Sequence, residues 1–478
     1  MKLLPTLFLS SFLIGGVLLA QDAAPTPMPD LSNEFTGVVP LSELVRQGVI
    51  TQEQANKIKG GAIGIEPQVK SKSFVKSLTI SGFSQFSYAY IAPHDEALPN
   101  PASTSTFYVP NLAFGVAADL GSGWSTNITA NFGSGFSSRN YLDKAFIEKK
   151  FDDIGAVSIG YNKAHFGLEQ YTSSRYIPAT DRSIATSYFT SSYSRIGAGM
   201  FPLSTGGLGT TRLGLGARRL GVFWEGEIPG VDGLEYFAEI TQGFQNFSAP
   251  ATTGTQNQLG YSGGVQYSTK WDDGKVTVGV NGTYMPEGNS LAVRNAVTFL
   301  NKSNAIAAID PFVQLKVGDF QAIGEFLGAY VENGRATGTS GPLSVSGYNS
   351  GSATPLGANV FLMYLFNDTI EPVFRFSMID SDQAGVNPSV VSQGPAFGGA
   401  VPGVAPGTAS PVLSPLGIGF FNAAQSYYFG LNWYILGNNA KISAGYERVQ
   451  FGGRWDGAGF DGPDASEDVI RIRAQIVF

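Results

Sequence analysis

Apolar and polar residues alternate with a period of two from about residue 74 to the last residue. In the final ten residues, every second position from Ile470 to Phe478 is apolar, and Arg471, Arg473 and Gln475 lie between these positions. A strand that spans an outer membrane has about 10 residues, with one side facing lipid and the other facing the barrel interior. The pattern therefore predicts membrane-spanning strands, and an aromatic last residue is typical of the terminal strand.

The same test applied along the chain predicts sixteen strands, an even number as in bacterial outer-membrane barrels. They cover residues 74–91, 106–120, 122–133, 141–151, 156–164, 214–228, 233–246, 258–271, 274–285, 304–318, 319–331, 355–367, 369–380, 424–436, 439–452 and 466–478. The pattern predicts the strand at 304–318 less clearly than the others, because this segment contains Pro311, which cannot donate a ladder hydrogen bond.

The connections between these strands alternate in length. Links after even-numbered strands are short, as in Asp272-Asp-Gly and Gly437-Asn-Asn, and these residue types suit tight turns. Links after odd-numbered strands are mostly longer and include 91–106, 286–303, 332–354 and 381–423. Outer-membrane barrels have short periplasmic turns and long external loops. The sequence therefore predicts an all-β, antiparallel transmembrane barrel with both termini in the periplasm.

The first 72 residues lack this pattern. Lys2 precedes an apolar run that ends at Ala20, which predicts a secretory signal peptide of residues 1–20. Two short helices are expected after it, and the second begins with a capping box formed by Thr51 and Gln54. We expect residues 21–72 to form a periplasmic linker with this short helix-turn-helix, and residues 73–478 to form the barrel.

Composition agrees with a membrane barrel and excludes other classes. Charged residues make up 14% of the chain, whereas soluble globular domains carry about 25%. No segment after residue 20 approaches the ~20 apolar residues that a membrane helix needs. The chain has no cysteine and two histidines, His94 and His165, so we predict no metal site and no cofactor. The net charge of −7 gives no reason to expect a nucleic-acid partner.

One stretch carries a resemblance to a known family. The chain resembles the phosphate-selective porin O and P family in Ser158-Ile-Gly-Tyr-Asn-Lys-Ala-His-Phe-Gly-Leu-Glu-Gln-Tyr-Thr-Ser-Ser-Arg-Tyr-Ile177, in Asp181-Arg182 and in Leu215-Gly-Ala-Arg-Arg-Leu-Gly221. It departs in having Asp181 where Glu is commoner and a longer insert before Arg218. The resemblance extends to residues 44–55 (LVRQGVITQEQA), which precede the barrel, to Ile370-Glu-Pro-Val-Phe-Arg375 and to the last three strands. It implies a sixteen-stranded, trimeric outer-membrane channel whose third external loop folds inward and narrows the pore.

That third loop, expected at about residues 165–213, lies in a basic part of the chain. Residues 163–219 contain seven basic residues and only two acidic ones, Glu169 and Asp181, which gives a local charge of +5. The basic residues are Lys163, Arg175, Arg182, Arg195, Arg212, Arg218 and Arg219. Guanidinium groups in a narrow passage favour anions and bind phosphate or carboxylate oxygens. We predict pore or anion contacts at Lys163, Arg175, Arg182, Arg195, Arg218, Arg219, Arg375, Arg471 and Arg473. The alternative is that these groups pair with carboxylates or with lipid headgroups.

The predicted interior is of mixed charge. Alternation points basic residues inward, but also Glu148, Glu225, Glu235, Glu239, Glu325, Glu371 and Glu447, so no uninterrupted basic ladder is present and strict phosphate selectivity rests on the resemblance alone. The sequence predicts a general channel for small anionic or neutral solutes with a mild anion preference. Its expected partners are outer-membrane lipid and, from the resemblance, two further copies in a homotrimer.

Two other classes of function are open at this point. The loops at 332–354 and 381–423 are rich in Gly, Ser, Pro and Ala, so a structural or adhesive barrel whose loops bind partners is the alternative. His165 lies near Ser173, Ser174 and Glu169 in the chain, so a hydrolase is a further alternative. No nucleophile elbow or metal-ligand spacing surrounds these residues, so we predict no enzymatic activity.

Overall fold

The computed structural model describes residues 75–95, 103–133, 142–151, 154–190, 213–242, 259–286, 305–332, 335, 352–386, 421–454 and 461–478. The chain divides into two units, residues 1–63 and 64–478, and all described residues lie in the second. The predicted signal peptide, linker and two short helices lie outside the described residues, as do Arg195 and Arg212.

Within the described residues, sixteen strands form a closed antiparallel barrel, which confirms the predicted strand number and architecture. The strands are β1 (Ser77–Asp95), β2 (Thr104–Gly121), β3 (Trp124–Asn131), β4 (Leu142–Phe151), β5 (Gly155–Lys163), β6 (Arg218–Glu227), β7 (Leu234–Gln242), β8 (Leu259–Trp271), β9 (Gly274–Met285), β10 (Ile306–Val317), β11 (Phe320–Val331), β12 (Leu356–Tyr364), β13 (Ile370–Asp380), β14 (Phe421–Tyr434), β15 (Ala440–Arg454) and β16 (Ala465–Val477). Each strand pairs with its neighbours in sequence, and β1 pairs with β16 to close the ring.

Two short helices, α1 (Leu168–Tyr171) and α2 (Ile184–Thr190), lie between β5 and β6. Neither they nor any other helix in the described ranges is long and apolar enough to cross a membrane.

Two strands have local features that the alternation pattern does not show: the first residue of β6 and the ladder of β10 around Pro311. β6 begins at Arg218 instead of residue 214, because Leu213 and Leu215 donate their backbone N–H groups to Tyr188 and Phe189 in α2. β10 retains Pro311 because its ladder to β11 omits the pairs at residues 310 and 311, while its ladder to β9 stays continuous. Proline is thereby accommodated where a hydrogen bond to one neighbour is already missing.

The two faces of the wall differ as the period-two pattern predicts. On β16, Ile470 and Ile476 are outward and exposed, whereas Arg471 and Arg473 are inward and buried. The short turns and both ends of the barrel chain lie at one end of the barrel, which we call the short-turn end. The described tryptophans occur at or near this end of their strands and are exposed; they are Trp124, Trp224, Trp271 and Trp433. Such an aromatic girdle is typical of an outer-membrane interface.

The last residue completes the seam between β1 and β16. Phe478 donates its N–H to the carbonyl of Gly82 at 3.0 Å and accepts from the Gly82 N–H at 2.8 Å. Its ring covers Gly82, where an added Cβ would lie 2.6 Å from the phenyl Cζ and 2.7 Å from the carbonyl oxygen of Ala113. Glycine is therefore required for the terminal aromatic ring to lie against the neighbouring strand.

We predict that Gly82→Ala lowers the free energy of unfolding by about 1–3 kcal/mol, the usual cost of overpacking. The measurement is urea unfolding of the barrel in lipid vesicles. Gly282→Ala is the matched control, because its added Cβ would meet nothing nearer than 3.7 Å and should change the free energy by about 0.5 kcal/mol or less. Equal losses in the two variants would contradict the proposed seam.

Candidate functional site inside the barrel

Residues 164–190 and 213–217, together called the inner segment, pack against the inside of the barrel wall. The side chains of Ala164, Phe166, Phe189 and Leu215 are completely buried. Helix α2 lies against β11, β12, β13 and β14. The described part of the third loop is therefore held within the barrel.

The contact between α2 and the wall is apolar. Ile184, Ala185 and Phe189 belong to one buried cluster with Leu327 of β11. An added Cβ at Gly357 of β12 would lie 2.8 Å from the Phe189 ring, so this glycine makes room for the helix. Burial of apolar area contributes roughly 25 cal/mol per Å², which fixes α2 to one side of the interior.

Polar wall side chains donate to successive carbonyl groups of the inner segment. The pairs are Gln85 to Ser174 at 3.0 Å, Gln475 to Arg175 at 3.3 Å, Lys441 to Ile177 at 3.3 Å and Asn432 to Pro178 at 2.8 Å. A non-helical backbone inside a barrel needs such partners, because an unpaired buried carbonyl costs about 1–3 kcal/mol.

Arg375 of β13 connects the wall to the inner segment, and its side chain is fully buried. One amino group donates to the Asp181 carbonyl at 2.6 Å and lies 3.7 Å from Glu169 Oε1. The other donates to Glu447 Oε1 at 2.8 Å. This guanidinium thus joins the wall carboxylate of β15 to two points of the inner segment.

The two predicted arginines of β16 lie beside it. Arg471 Nε lies 3.6 Å from Asp181 Oδ2, and its Nη1 donates to Glu447 Oε2 at 3.1 Å. Arg473 lies 3.4 Å from Asp181 Oδ1. Three arginines therefore face the three carboxylates of Glu169, Asp181 and Glu447, and this paired group has no net charge.

Tyr428 of β14 connects the same region to the wall. Its hydroxyl accepts the backbone N–H of Thr180 at 3.1 Å. Its ring lies over Gly430 and Gly445, which are register partners on β14 and β15; an added Cβ at either would come within 2.3 Å of the tyrosine. These glycines let the ring lie flat, and the Arg375 guanidinium stacks on it at 4.9 Å.

His165 fixes the start of the inner segment. Its Nδ1 hydrogen-bonds Glu239 Oε1, and its backbone N–H donates to the same oxygen at 2.9 Å. Its Nε2 lies 3.3 Å from Glu225 Oε2. The rings of Tyr171 and Phe237 lie on its imidazole at 3.9 and 4.6 Å. Burial lowers the pKa of the imidazole, but hydrogen bonds to Glu225 and Glu239 outweigh burial and raise the pKa to about 9.

Three of the remaining predicted basic residues, Lys163, Arg182 and Arg218, lie near Gln170 of α1. Lys163 Nζ and an Arg182 amino group both donate to the Gln170 carbonyl, at 2.9 and 3.4 Å. Arg218 is the register partner of Lys163 on β6 and pairs with Asp143 at 2.6 Å. Arg182 also donates to the Thr172 carbonyl at 3.2 Å.

Arg175 and Arg219 complete the described set. The Arg175 guanidinium lies over the rings of Phe83 and Tyr176 at 5.6 and 5.5 Å. Arg219 is buried and donates to the Gly214 carbonyl at 2.7 Å. The structure thus separates the predicted residues into the paired group on β13 and β16, the Gln170-centred group, and these two residues.

Sequence reasoning missed several residues that hold the inner segment. Asp310 Oδ2 accepts the Gly167 N–H at 3.0 Å, and Glu325 Oε1 accepts the Leu168 N–H at 2.5 Å. Tyr428 and His165 were also not predicted to contact the wall in this way. The only signal available was a carboxylate or an aromatic at an inward position, which does not identify its partner. Among the described residues, no group of three or more His, Asp or Glu side chains is arranged to hold a metal ion.

A closed sixteen-stranded antiparallel barrel with an aromatic girdle, and with a polar segment packed inside it, has the architecture of an outer-membrane β-barrel. The profile of the family described as phosphate-selective porin O and P matches residues 95–203. This match confirms the predicted resemblance over a stretch that includes β2 to β5, α1 and α2.

The chain is also similar to several solved structures. The outer-membrane channel DcaP of Acinetobacter baumannii is 12% identical, with 86% of this chain and 99% of that chain covered and a TM-score of 0.49. OmpT of Vibrio cholerae in its trimer form is 12% identical, covers 84% and 100%, and has a TM-score of 0.44. OprB of Pseudomonas putida is 11% identical, covers 83% and 94%, and has a TM-score of 0.44. No curated protein matches the chain.

We predict that Arg375→Gln lowers the free energy of unfolding by about 3–5 kcal/mol, because the substitution leaves buried carboxylates without their cation. The measurement is urea unfolding in vesicles. Arg448→Gln is the control: its ion pair with Asp468 is partly exposed, and such pairs contribute about 0.2–1 kcal/mol. Losses of similar size in the two variants would show that Arg375 does not hold the inner segment.

The raised pKa of His165 gives a pH dependence of defined sign. The protonated form is favoured in the folded protein, so its stabilisation is complete below the unfolded pKa of 6.5 and disappears as pH rises through about 9. We expect the melting temperature of the wild type to fall over this window by more than that of His165→Gln, which does not titrate. Parallel curves for the two proteins would refute the role of the imidazolium.

Proposed function

We propose that the protein is a porin that lets small hydrophilic solutes diffuse passively across the outer membrane, with a mild preference for anions such as phosphate. The observation that carries this proposal is the charged inner segment held within the closed barrel. A passage that runs past such a segment exposes solutes to guanidinium and ammonium groups at close range.

The charge distribution supports a mild preference more than a strict one. Arg375, Arg471 and Arg473 are balanced by three carboxylates, so they add little net field. The excess comes from the group around Gln170. Lys144, Lys163, Arg182 and Arg218 interact electrostatically within it, Arg175 acts on Lys144 from outside it, and Asp143 and Glu225 are the neighbouring carboxylates. Five cations against two anions attract anions without excluding cations.

The assembly and orientation belong to the same proposal. We infer a homotrimer surrounded by outer-membrane lipid, with both termini in the periplasm. The short-turn end, with its aromatic girdle, supports the orientation, since short turns lie on the periplasmic side of such barrels.

The test is the reversal potential of the purified channel in a planar bilayer under a KCl gradient. We expect the sign of the reversal potential to show an anion preference. We expect its magnitude to be smaller in the double variant Lys163→Gln and Arg182→Gln. Glutamine can still donate a hydrogen bond to the Gln170 carbonyl, so the variant removes charge with little loss of anchoring. Competing phosphate, sulfate and sugars rank the solutes.

Arg448→Gln serves as the control, because this side chain lies on the outward face with Tyr446 and should not alter the potential. A cation preference in the wild type would contradict the anion part of the proposal. A barrel that never conducts would contradict the porin itself and would favour a structural or adhesive role.

A further inference from the structure

Two carboxyl groups of the wall hold the first residues of α1. Asp310 of β10 accepts the Gly167 N–H and the Asn281 amide on one oxygen, at 3.0 and 2.9 Å. Glu325 of β11 accepts the Leu168 N–H at 2.5 Å. The backbone therefore enters α1 with two successive N–H groups aimed at two neighbouring carboxyl groups.

These carboxyl groups lack a counter-charge. In the described part of the chain, no lysine, arginine or histidine forms an ion pair with Asp310 or Glu325. Asp310 is completely buried and Glu325 nearly so, and Oδ1 of Asp310 has no hydrogen-bond donor. Two buried carboxylates side by side repel one another, and the repulsion is relieved when one of them holds a proton.

The two groups are also close enough to share that proton. They lie side by side, because they accept the consecutive N–H groups of Gly167 and Leu168 at 3.0 and 2.5 Å, and because the register partner of Glu325 on β10 is Phe312, two residues beyond Asp310. A hydrogen bond between two carboxyl groups exists only when one is protonated. The free Oδ1 of Asp310 is the atom that such a bond requires.

The surroundings add no cation that would stabilise both groups as anions. Asn281 of β9 contacts Asp310, and Asn359 of β12 donates to Glu325 at 2.7 Å. A further carboxylate, Glu169 of α1, adds to the repulsion at Glu325. Arg375 is engaged with Glu169 and Glu447, and the His165 imidazole is engaged with Glu225 and Glu239.

We propose that Asp310 and Glu325 share one proton and thereby position the start of the inner segment. This inference rests on the proposed porin function, because the segment they hold is the one that borders the passage. When the pair holds one proton, three of its oxygens accept hydrogen bonds from donors of the wall and of the inner segment. The two carboxyl groups then no longer repel each other as two anions. Loss of the proton leaves two adjacent buried anions, and the start of α1 moves away from the wall.

The test uses the absence of cysteine in the natural chain. Ser173→Cys introduces one thiol into the half-buried inner segment, two residues beyond α1. Its rate of reaction with a membrane-impermeant maleimide is measured on the full barrel in vesicles at about pH 5 and about pH 8, a range in which the His165 imidazole remains largely protonated.

Each rate is divided by the rate of the same cysteine in the Asp310→Asn background at the same pH, which cancels the ionisation of the thiol itself. Asparagine keeps an acceptor for Gly167 and gives Glu325 a permanent donor. We expect a ratio near unity at the lower pH and a several-fold higher ratio at the higher pH. Glu325→Gln should behave as Asp310→Asn does.

Glu148→Gln is the matched control. It removes another inward carboxyl, on β4, which hydrogen-bonds Ser125 of the wall, and it should retain the wild-type pH step. A wild-type ratio that stays at unity at both pH values, or a ratio that still rises with pH in the Glu325→Gln background, would overturn the shared proton. Because labelling does not depend on conduction, a pH step in a barrel that never conducts would leave this inference standing while the proposed function fails.

Discussion

The buried guanidinium of Arg375 is the interaction on which the interior arrangement depends. Arg375, Tyr428 and Glu447 occupy one register row on β13, β14 and β15, so the arginine can reach the glutamate only by passing over the tyrosine. It does so because the tyrosine ring lies flat over Gly430 and Gly445. A larger residue at either glycine would lift the ring into the path of the guanidinium. Two glycines without any charge therefore decide whether an ion pair can form.

The ion pairs are of value here because the inner segment brings its own charges into the barrel. Glu169 and Asp181 would be costly to bury alone, and so would the three arginines that face them. Together with Glu447 they satisfy one another. The apolar contact of α2 then adds attraction without a demand for further partners. Polar matching decides where the segment lies, and apolar burial determines how firmly it is held.

The sequence allowed the wall to be predicted but not these contacts, and the reason is the range of the interactions. Outward and inward positions differ every second residue, so local alternation identifies all sixteen strands, and the short links show their direction. The contact between Gly167 and Asp310 spans 143 residues, and the contact between Arg375 and Glu447 crosses an intervening strand. Both depend on register and on the path of the inner segment, neither of which appears in the local pattern.

The predicted basic residues illustrate the same limit. A count of charges between residues 163 and 219 treats all cations as equivalent, whereas the structure divides them by their partners. Arg375, Arg471 and Arg473 face carboxylates, while Lys163 and Arg182 face a backbone carbonyl. A carboxylate partner cancels the charge of a cation, whereas a carbonyl accepts its hydrogen bond without cancelling the charge. The proposed anion preference therefore depends on the partner that each cation finds in the folded barrel, and a count of basic residues in the sequence does not contain that information.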